Sequence, residues 1–337
     1  MTDGIFMKAF YRVLLGLLAF GLAGHAAIAQ DWPAKQPIRI IVPYPPGGNA
    51  DVGARAVAES AAARLKQVIL IDNRPGASTM IGTEVVSRAA PDGYTIGVVS
   101  DSHAINQAIS TQPKAAEILG AKVPYDAIRN FVPVAGLVDV PLVLAVHPAV
   151  PARTLKDFIR LTQDRKSGEG VNFGSLGPGS AWSVQMHQLA KLTQAKYVDV
   201  PYKGLAPAAT DLISGHIQAM ILPVHYAQQY VKSGKIVAIA TLSERRHPLL
   251  PETPSLAESG FPGQNFTNTI WFIAPAGTPP AIVDRISREF NTALAEPGMK
   301  EKLATSGDPY PATPAELSRR LRSDIDSYGS TIKDVLK

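Results

Sequence analysis

Ile38-Arg39-Ile40-Ile41-Val42, followed by Pro43-Tyr44-Pro45-Pro46-Gly47-Gly48-Asn49-Ala50-Asp51, reads as a strand that ends in a glycine turn and opens an Ala-rich helix. Such a junction leaves the first N–H groups of the helix without intrahelical partners and aims them above the strand end, which suits an anion. The residues upstream suggest where the junction works. Lys8 and Arg12, an apolar run from Val13 to about Ala23, and Ala27-Ile28-Ala29 form a charged n-region, an h-region and an A-x-A cleavage site. A run of about a dozen apolar residues falls short of the ~20 that span hydrocarbon. Residues 1–29 are therefore read as a signal peptide cleaved after Ala29, with the mature chain starting at Gln30 outside the cytoplasm. Asp3 is out of keeping with a basic n-region, and Met7-Lys8 would give a cleaner start. An exported chain with an anion-binding turn points first to solute capture.

Composition narrows the options. Of 337 residues, 308 remain once the leader is removed, a length that suits two lobes of about 150 residues each. The mature chain carries 31 basic and 27 acidic residues, a net charge of +4 with no basic run, so nucleic acid is not an expected partner. With no cysteine, disulfides, thiolate catalysis and zinc–thiolate sites are excluded. No second apolar segment reaches membrane-spanning length, so the mature chain is expected to be soluble, and a monomer is expected.

Strand and helix patterns alternate from Ile38 onward, which argues for α/β layers with largely parallel sheets. Strands are expected at Ile38–Val42, Val68–Asp72 and Thr95–Ser100, with helices near Asp51–Lys66 and Met80–Arg88 between them. A second set follows: strands at Leu142–Val146, Val171–Gly174, Tyr197–Val200, Ala219–Leu222 and Val237–Thr241, with helices near Leu155–Asp164, Ala181–Thr193 and Ala206–Ser214. Thr269–Ala274 reads as a further strand. The helix expected at Pro279–Ala295 places Ile282, Ile286, Phe290 and Leu294 on one face. Two α/β units predict two lobes with a ligand cleft between their strand ends. The expected division is residues 30–135 plus 267–337 for lobe 1 and 136–266 for lobe 2, with crossings around Val132–Val140 and Phe266–Phe272. The Pro-rich stretch His247–Pro262 reads as a surface loop.

Four strand ends lead through Gly-bearing turns into helices: Tyr44–Asp51, Asn73–Thr79, Gly174–Ser180 and Pro201–Ala206. Each presents N–H donors and a helix dipole, and Asn49 or Ser180 is placed to cap its helix. One such turn is commonplace. Two per lobe, facing each other, would converge on a carboxylate without needing arginine.

Five stretches in order carry a resemblance: Pro43-Tyr44-Pro45-Pro46-Gly47-Gly48 with Asp51 and Arg55, Asn73-Arg74-Pro75-Gly76-Ala77, Pro91-Asp92-Gly93-Tyr94-Thr95, Val200-Pro201-Tyr202-Lys203-Gly204, and Ala274-Pro275-Ala276-Gly277-Thr278-Pro279. Together they resemble the Bug family, the periplasmic substrate-binding component of tripartite tricarboxylate transporters, over essentially the whole mature chain. The resemblance implies a two-lobed periplasmic binding protein fold, each lobe a sheet flanked by helices, that closes on a small organic carboxylate and delivers it to membrane permease subunits. It implies no cofactor. Carried onto this sequence, it places Tyr44, Gly48, Asn49 and Asp51 in a first-lobe clamp with Ser78 and Thr79 beside it. Asp51 is expected to support the turn rather than touch an anion. Ser100, Asp101, Ser102 and His103 are expected to fill the loop after the third strand. From the second lobe, Gly174, Ser175, Gly177, Gly179, Ser180, Tyr202 and Ala206 would close over the ligand.

The chain departs from the family pattern at two places. Trp182 and Ser183 stand where relatives commonly carry a small residue and a histidine, and Leu222 and Pro223 where they often carry an Asp-Asn pair. Trp182 either packs in the lobe core or supplies an aromatic wall. With Leu222 it makes the second lobe less polar, so a ligand with one carboxylate and an apolar body is expected. A periplasmic sensing protein that docks on a sensor kinase would need the same chemistry. Catalysis is not expected: the residue two before Ser175 is Phe173, so no G-x-S-x-G elbow forms, and His103 is a lone loop histidine. No metal-ligand spacing appears among the scattered histidines.

Overall fold

The computed structural model describes residues 32–119, 122–163, 171–177 and 180–335. The expected signal peptide and Gly179 lie outside them. Strand β1 (Ile38–Val42) is flanked by two parallel neighbours, β2 (Ile69–Asn73) and β3 (Thr95–Ser100), with Ile38 opposite Ile69 and Arg39 opposite Thr95. Helices α1 (Asn49–Leu65) and α2 (Met80–Ser87) make the two crossovers. Beyond β3 the sheet turns antiparallel. There β3 pairs with β9 (Thr267–Pro275), and β9 with β4 (Phe131–Val146).

β4 carries the sheet from one half of the molecule to the other. Its residues 131–141 pair with β9; its residues 142–146 pair with β7 (Ala219–Pro223) on one side and β8 (Val237–Thr241) on the other. β5 (Val171–Ser175) then adds in parallel to β7, and β6 (Tyr197–Pro201) in parallel to β5. The hydrogen-bonded order is β2-β1-β3-β9-β4-β7-β5-β6, with β8 and the short β10 (Asp308–Pro309) also on β4. The sheet is mixed rather than largely parallel, because the strands that cross between the halves, β4 and β9, run antiparallel to each other. The helices that complete the layers are α3 (Ser102–Ser110), α4 (Pro113–Leu119), α5 (Leu155–Gln163), α6 (Ala181–Thr193), α7 (Leu205–Ser214), α8 (Val224–Lys232), α9 (Pro280–Leu294), α10 (Met299–Lys302) and α11 (Pro314–Val335).

Both faces of each half are covered, so strands read as continuous apolar runs whose alternate residues enter different cores. In β1, Ile38, Ile40 and Val42 pack with Val57 and Ala61 of α1 and with Ile282, Ile286 and Phe290 of α9. Ile41 points the other way, into a core shared with Ile105 of α3, Trp271 of β9 and Leu317, Leu321 and Tyr328 of α11. The second half repeats the plan. Leu144 and Ile221 pack with Phe158 and Phe173 on one face, while Val143 and Met220 pack with Leu212 and Ala227 on the other. The stretch after β8 stays irregular and is anchored by a bridge between Thr241 and Ser255 and by the Arg246–Glu258 ion pair. No helix among the described residues is long and apolar enough to cross a membrane.

Candidate functional site

The turn between β1 and α1 exposes Pro45, Pro46, Gly47 and Gly48, and a buried carboxylate beneath fixes its shape. Asp51 accepts the Gly47 N–H at 2.8 Å, the Arg55 Nε at 3.0 and 3.1 Å on its two oxygens, and the Asn73 Nδ2 at 2.9 Å. Asn73 also donates to the Tyr44 carbonyl at 3.0 Å, which ties the end of β2 to the same turn. Burial alone would raise the Asp51 pKa, but Arg55, the Gly47 N–H and Asn73 outweigh it and hold the carboxyl below its usual range. Asp51 is thus spent inward, as turn support. Gly48 precedes the helix without any side-chain cap, and the first intrahelical bond is donated by Val52 to the Gly48 carbonyl at 2.9 Å. The N–H groups of Asn49, Ala50 and Asp51 therefore have no acceptor within the helix, and the positive end of a 17-residue dipole stands behind them.

The neighbouring turn is strained. Ala77, Ser78 and Thr79 have φ of 46°, 50° and 74°, three successive L-residues in the left-handed region at ~1–2 kcal/mol each. The strain is held from below: Asn106 of α3 donates to the Ser78 carbonyl at 3.1 Å, and the Thr83 hydroxyl to the Thr79 carbonyl at 2.9 Å. Strain held this way is characteristic of ligand clamps. It leaves Ser78 exposed while Thr79 is buried. At the end of β3 the Tyr44 hydroxyl donates to Ser100 Oγ at 2.7 Å, and Ser100 Oγ accepts the Ser102 N–H at 3.3 Å. Burial raises the Tyr44 pKa, so its phenol stays neutral. The structure joins Tyr44, Ser100 and Ser102 in one chain of hydrogen bonds.

The connection after β3 is shorter than expected: Asp101 alone stands between strand and helix, and Ser102 and His103 fall within α3. Ser102 begins α3, so Asp101 and His103 face the interior. Asp101 is 0% exposed and shares its surroundings with Arg320 and Asp324 of α11 and Asp139 of β4. Burial first, then the two neighbouring carboxylates, push its pKa well above the usual range against the pull of Arg320. His103, expected as a solvated loop histidine, is stacked on Tyr125 and edge-on to Phe131, with its pKa lowered to about 4 by burial.

In the second half, Ser175 at the end of β5 is buried and its Oγ accepts the Gly177 N–H at 3.1 Å. Ser180 caps α6: its Oγ accepts the Ser183 N–H at 3.2 Å and donates to the Gly177 carbonyl at 2.7 Å. Gly174 is a packing glycine, since a Cβ there would stand 2.5 Å from Ile217 Cδ1. The Tyr202 N–H donates to the Ser175 carbonyl at 2.9 Å, bringing the β6 end beside the β5 end. The Tyr202 hydroxyl, however, donates to Asp211 at 2.7 Å; burial, then Asp211, raises its pKa to about 12. Ala206 is exposed in the first turn of α7.

Of the residues read as apolar departures, only Trp182 reaches the junction. It is half-buried in the first turn of α6 and packs against both the α3–α11 core and the core of the second half. Leu222 is a correction. It is 1% exposed and packs with Val143, Leu212 and Met220 in the core under α7 and α8. The alternation of β7 sends Ala219 and Ile221 to one core and Met220 and Leu222 to the other, leaving Leu222 no surface to offer a ligand. Pro223 is buried too, at the start of α8. The apolar wall expected from Trp182, Leu222 and Pro223 thus reduces to Trp182. Among the described residues one His/Asp group has metal-ligand proximity, His225, His247 and Asp308, and sequence spacing gave no sign of it.

A sheet in two halves, with uncapped or Ser-capped helix starts at the strand ends of both, is an arrangement that suits a solute-binding protein. The chain belongs to the tripartite tricarboxylate transporter family receptor (TctC) family, whose model matches residues 53–335. It is 33% identical over 317 residues to the protein BugT of Bordetella pertussis, with 93% of each chain covered. Among solved structures it is similar to MatC from Rhodopseudomonas palustris with bound malate, at 26% identity and a TM-score of 0.71, covering 89% of this chain and 99% of that one. A second R. palustris protein, solved with adipate, matches at 27% identity and a TM-score of 0.73, covering 90% of this chain and 98% of that one.

Proposed function

We propose that this chain is the periplasmic receptor that captures a small organic carboxylate and presents it to the membrane permease subunits of a tripartite tricarboxylate-type transporter. The observation that carries this reading is the β1–α1 turn, where a buried, fully engaged Asp51 holds an uncapped helix start open to solvent. Such a start donates to an anion and gives nothing to a cation. Malate and adipate in the two related structures are both small carboxylates, which is the ligand class this turn would select.

The reading places the ligand between a first lobe, carrying Tyr44, Gly48, Asn49, Ser78, Thr79, Ser100 and Ser102, and a second lobe, carrying Ser175, Gly177, Gly179, Ser180, Trp182, Tyr202 and Ala206. The reading divides the chain into residues 30–135 plus 267–337 and residues 136–266, and the change of strand partners along β4 at Pro141–Leu142 supports a crossing on that strand. With only β4 and the start of β9 continuing between lobes, hinge closure is the expected response to ligand. For Tyr202, closure would require the hydroxyl to exchange Asp211 for the ligand.

A melting-curve screen of mono-, di- and tricarboxylates tests the reading. A ligand present at about 100 times its Kd adds ~2.7 kcal/mol of stability, and the best hit should bind one-to-one by calorimetry. Absence of any shift across the panel, with shifts instead from amines or neutral sugars, would overturn it.

A further inference from the structure

Three side chains remote in sequence meet where the two halves of the molecule touch. His225 opens α8, His247 lies in the irregular stretch after β8, and Asp308 belongs to β10, which pairs with Val138 and Asp139 of β4 just before β4 changes partners. His247 Nε2 is 3.1 Å from Asp308 Oδ2, and His225 Nε2 is 3.8 Å from Asp308 Oδ1. The three ligand atoms all lie within 4.8 Å of one another. The two histidine side chains are 7% and 10% exposed. A cavity of about 660 Å³ opens beside them, bounded also by Leu249, Lys300 and Pro309, with room for water or a further ligand.

Hydrogen bonding alone leaves this trio incomplete. A separation of 3.8 Å is beyond hydrogen-bond reach, and the other ring nitrogen of His225 is buried with no partner. Buried imidazole nitrogens are normally satisfied. A cation between His225 Nε2 and Asp308 Oδ1 would bridge the 3.8 Å gap between them, leaving Nδ1 as it is. Four-coordinate zinc with nitrogen and oxygen ligands at ~2.0–2.2 Å has ligand–ligand edges of about 3.4 Å, and the observed 3.1 and 3.8 Å bracket that value. Two imidazoles and one carboxylate select a borderline divalent ion over calcium or magnesium, which prefer all-oxygen shells.

We propose that His225, His247 and Asp308 form a binding site for a borderline divalent cation such as Zn2+, one that ties the second half of the sheet to β10 of the first. The site is weaker than a structural zinc centre for two reasons. His247 Nδ1 accepts the Leu249 N–H at 3.2 Å, so its proton sits on Nε2 and must move to Nδ1 when the metal binds, at the loss of that bond. Lys300 adds a repelling positive charge.

The test is calorimetric titration of Zn2+ into the metal-stripped mature chain carrying no polyhistidine tag, with the visible spectrum of the Co2+-loaded chain alongside. One equivalent should bind, and Co2+ should show the intense bands of four-coordination. The double variant His225→Ala/His247→Ala should lose at least tenfold in affinity. Asp308→Asn, which keeps an acceptor for His247 and hence the fold, should also lose at least tenfold. His216→Ala, at an exposed histidine elsewhere, should bind as wild type. No saturable binding, binding unaltered in either ligand variant when melting curves show it folded, or a Co2+ spectrum like that of the hydrated ion would each overturn the assignment.

Discussion

Replacing Gly48 with valine separates the fold from the site at one position. Gly48 has φ −76° and ψ 167°, extended backbone that any residue adopts, and an added Cβ would meet only the Pro45 carbonyl oxygen, at 3.5 Å. Valine caps a helix less well than glycine, a loss of under ~1 kcal/mol. The side chain would project from the exposed turn across the N–H groups that α1 presents. Each hydrogen bond from such a group to a carboxylate contributes ~1.5–3 kcal/mol, so blocking one raises Kd roughly ten- to 150-fold. Gly47→Val is the contrast: at φ 82° a branched residue is strained in the left-handed region, and the N–H bonded to Asp51 would shift with it. The assay is calorimetry with the tightest carboxylate from the screen, alongside a melting curve for each variant. Gly48→Val with normal affinity would remove this turn from the site. A collapse in stability would instead show that the turn has less room than the structure gives it.

Three further outcomes are expected. Asp51→Ala should lower stability by about 1–3 kcal/mol in denaturant melts, because the Gly47 N–H loses its acceptor and Asn73 Nδ2 keeps only the Tyr44 carbonyl, while the half-exposed Arg55 contributes less; a loss under 0.5 kcal/mol would contradict the turn-support role. Leu222→Ala should destabilise by about 2–5 kcal/mol and leave carboxylate affinity within a factor of two; a selective loss of affinity would return Leu222 to the site. For His103, the folded pKa of about 4 lies below the usual 6.5, so its contribution is complete above pH 6.5 and is lost as pH falls toward 4, by up to ~3 kcal/mol. His103→Leu should flatten that acid limb in melts taken between pH 7 and 4, and an unchanged limb would show that His103 is not buried neutral.

Where local pattern and final fold agree, the sequence was enough. β1 and β3 form at the residues that alternation and flanking turns mark, and Ile282, Ile286, Phe290 and Leu294 all enter the core beneath α9. β4 begins eleven residues before the strand expected at Leu142–Val146, across a stretch that holds Pro133, Gly136 and Pro141. The structure absorbs two of them as irregularities, with register shifts between Pro133 and Ala135 and between Gly136 and Val138. Gly136 is there for close approach: a Cβ would sit 1.8 Å from the Tyr310 carbonyl oxygen. That demand comes from a segment far along the chain, which no local window contains. The missing α11 is different, since Leu317, Leu321, Ile325, Tyr328 and Ile332 recur at helical spacing and would have revealed it.

The site was legible to the same extent and failed for the same reason. The β1–α1 turn proposed to hold the ligand is local chemistry, written in Gly47, Gly48, Asp51 and Arg55, and the structure ties those residues together with Asn73 added across one strand pair. Asp101 and Leu222 were misplaced because each is assigned by a partner elsewhere. A polar residue after a strand reads as loop until Arg320 of a distant helix is found beside it. A leucine at a strand end reads as pocket lining until both faces of β7 prove covered, and in a sheet buried on both sides alternation cannot say which face meets ligand. Trp182 shows the remaining possibility. Packed against the cores of both halves, it cannot be assigned to one of them by pattern, nor removed without touching the other.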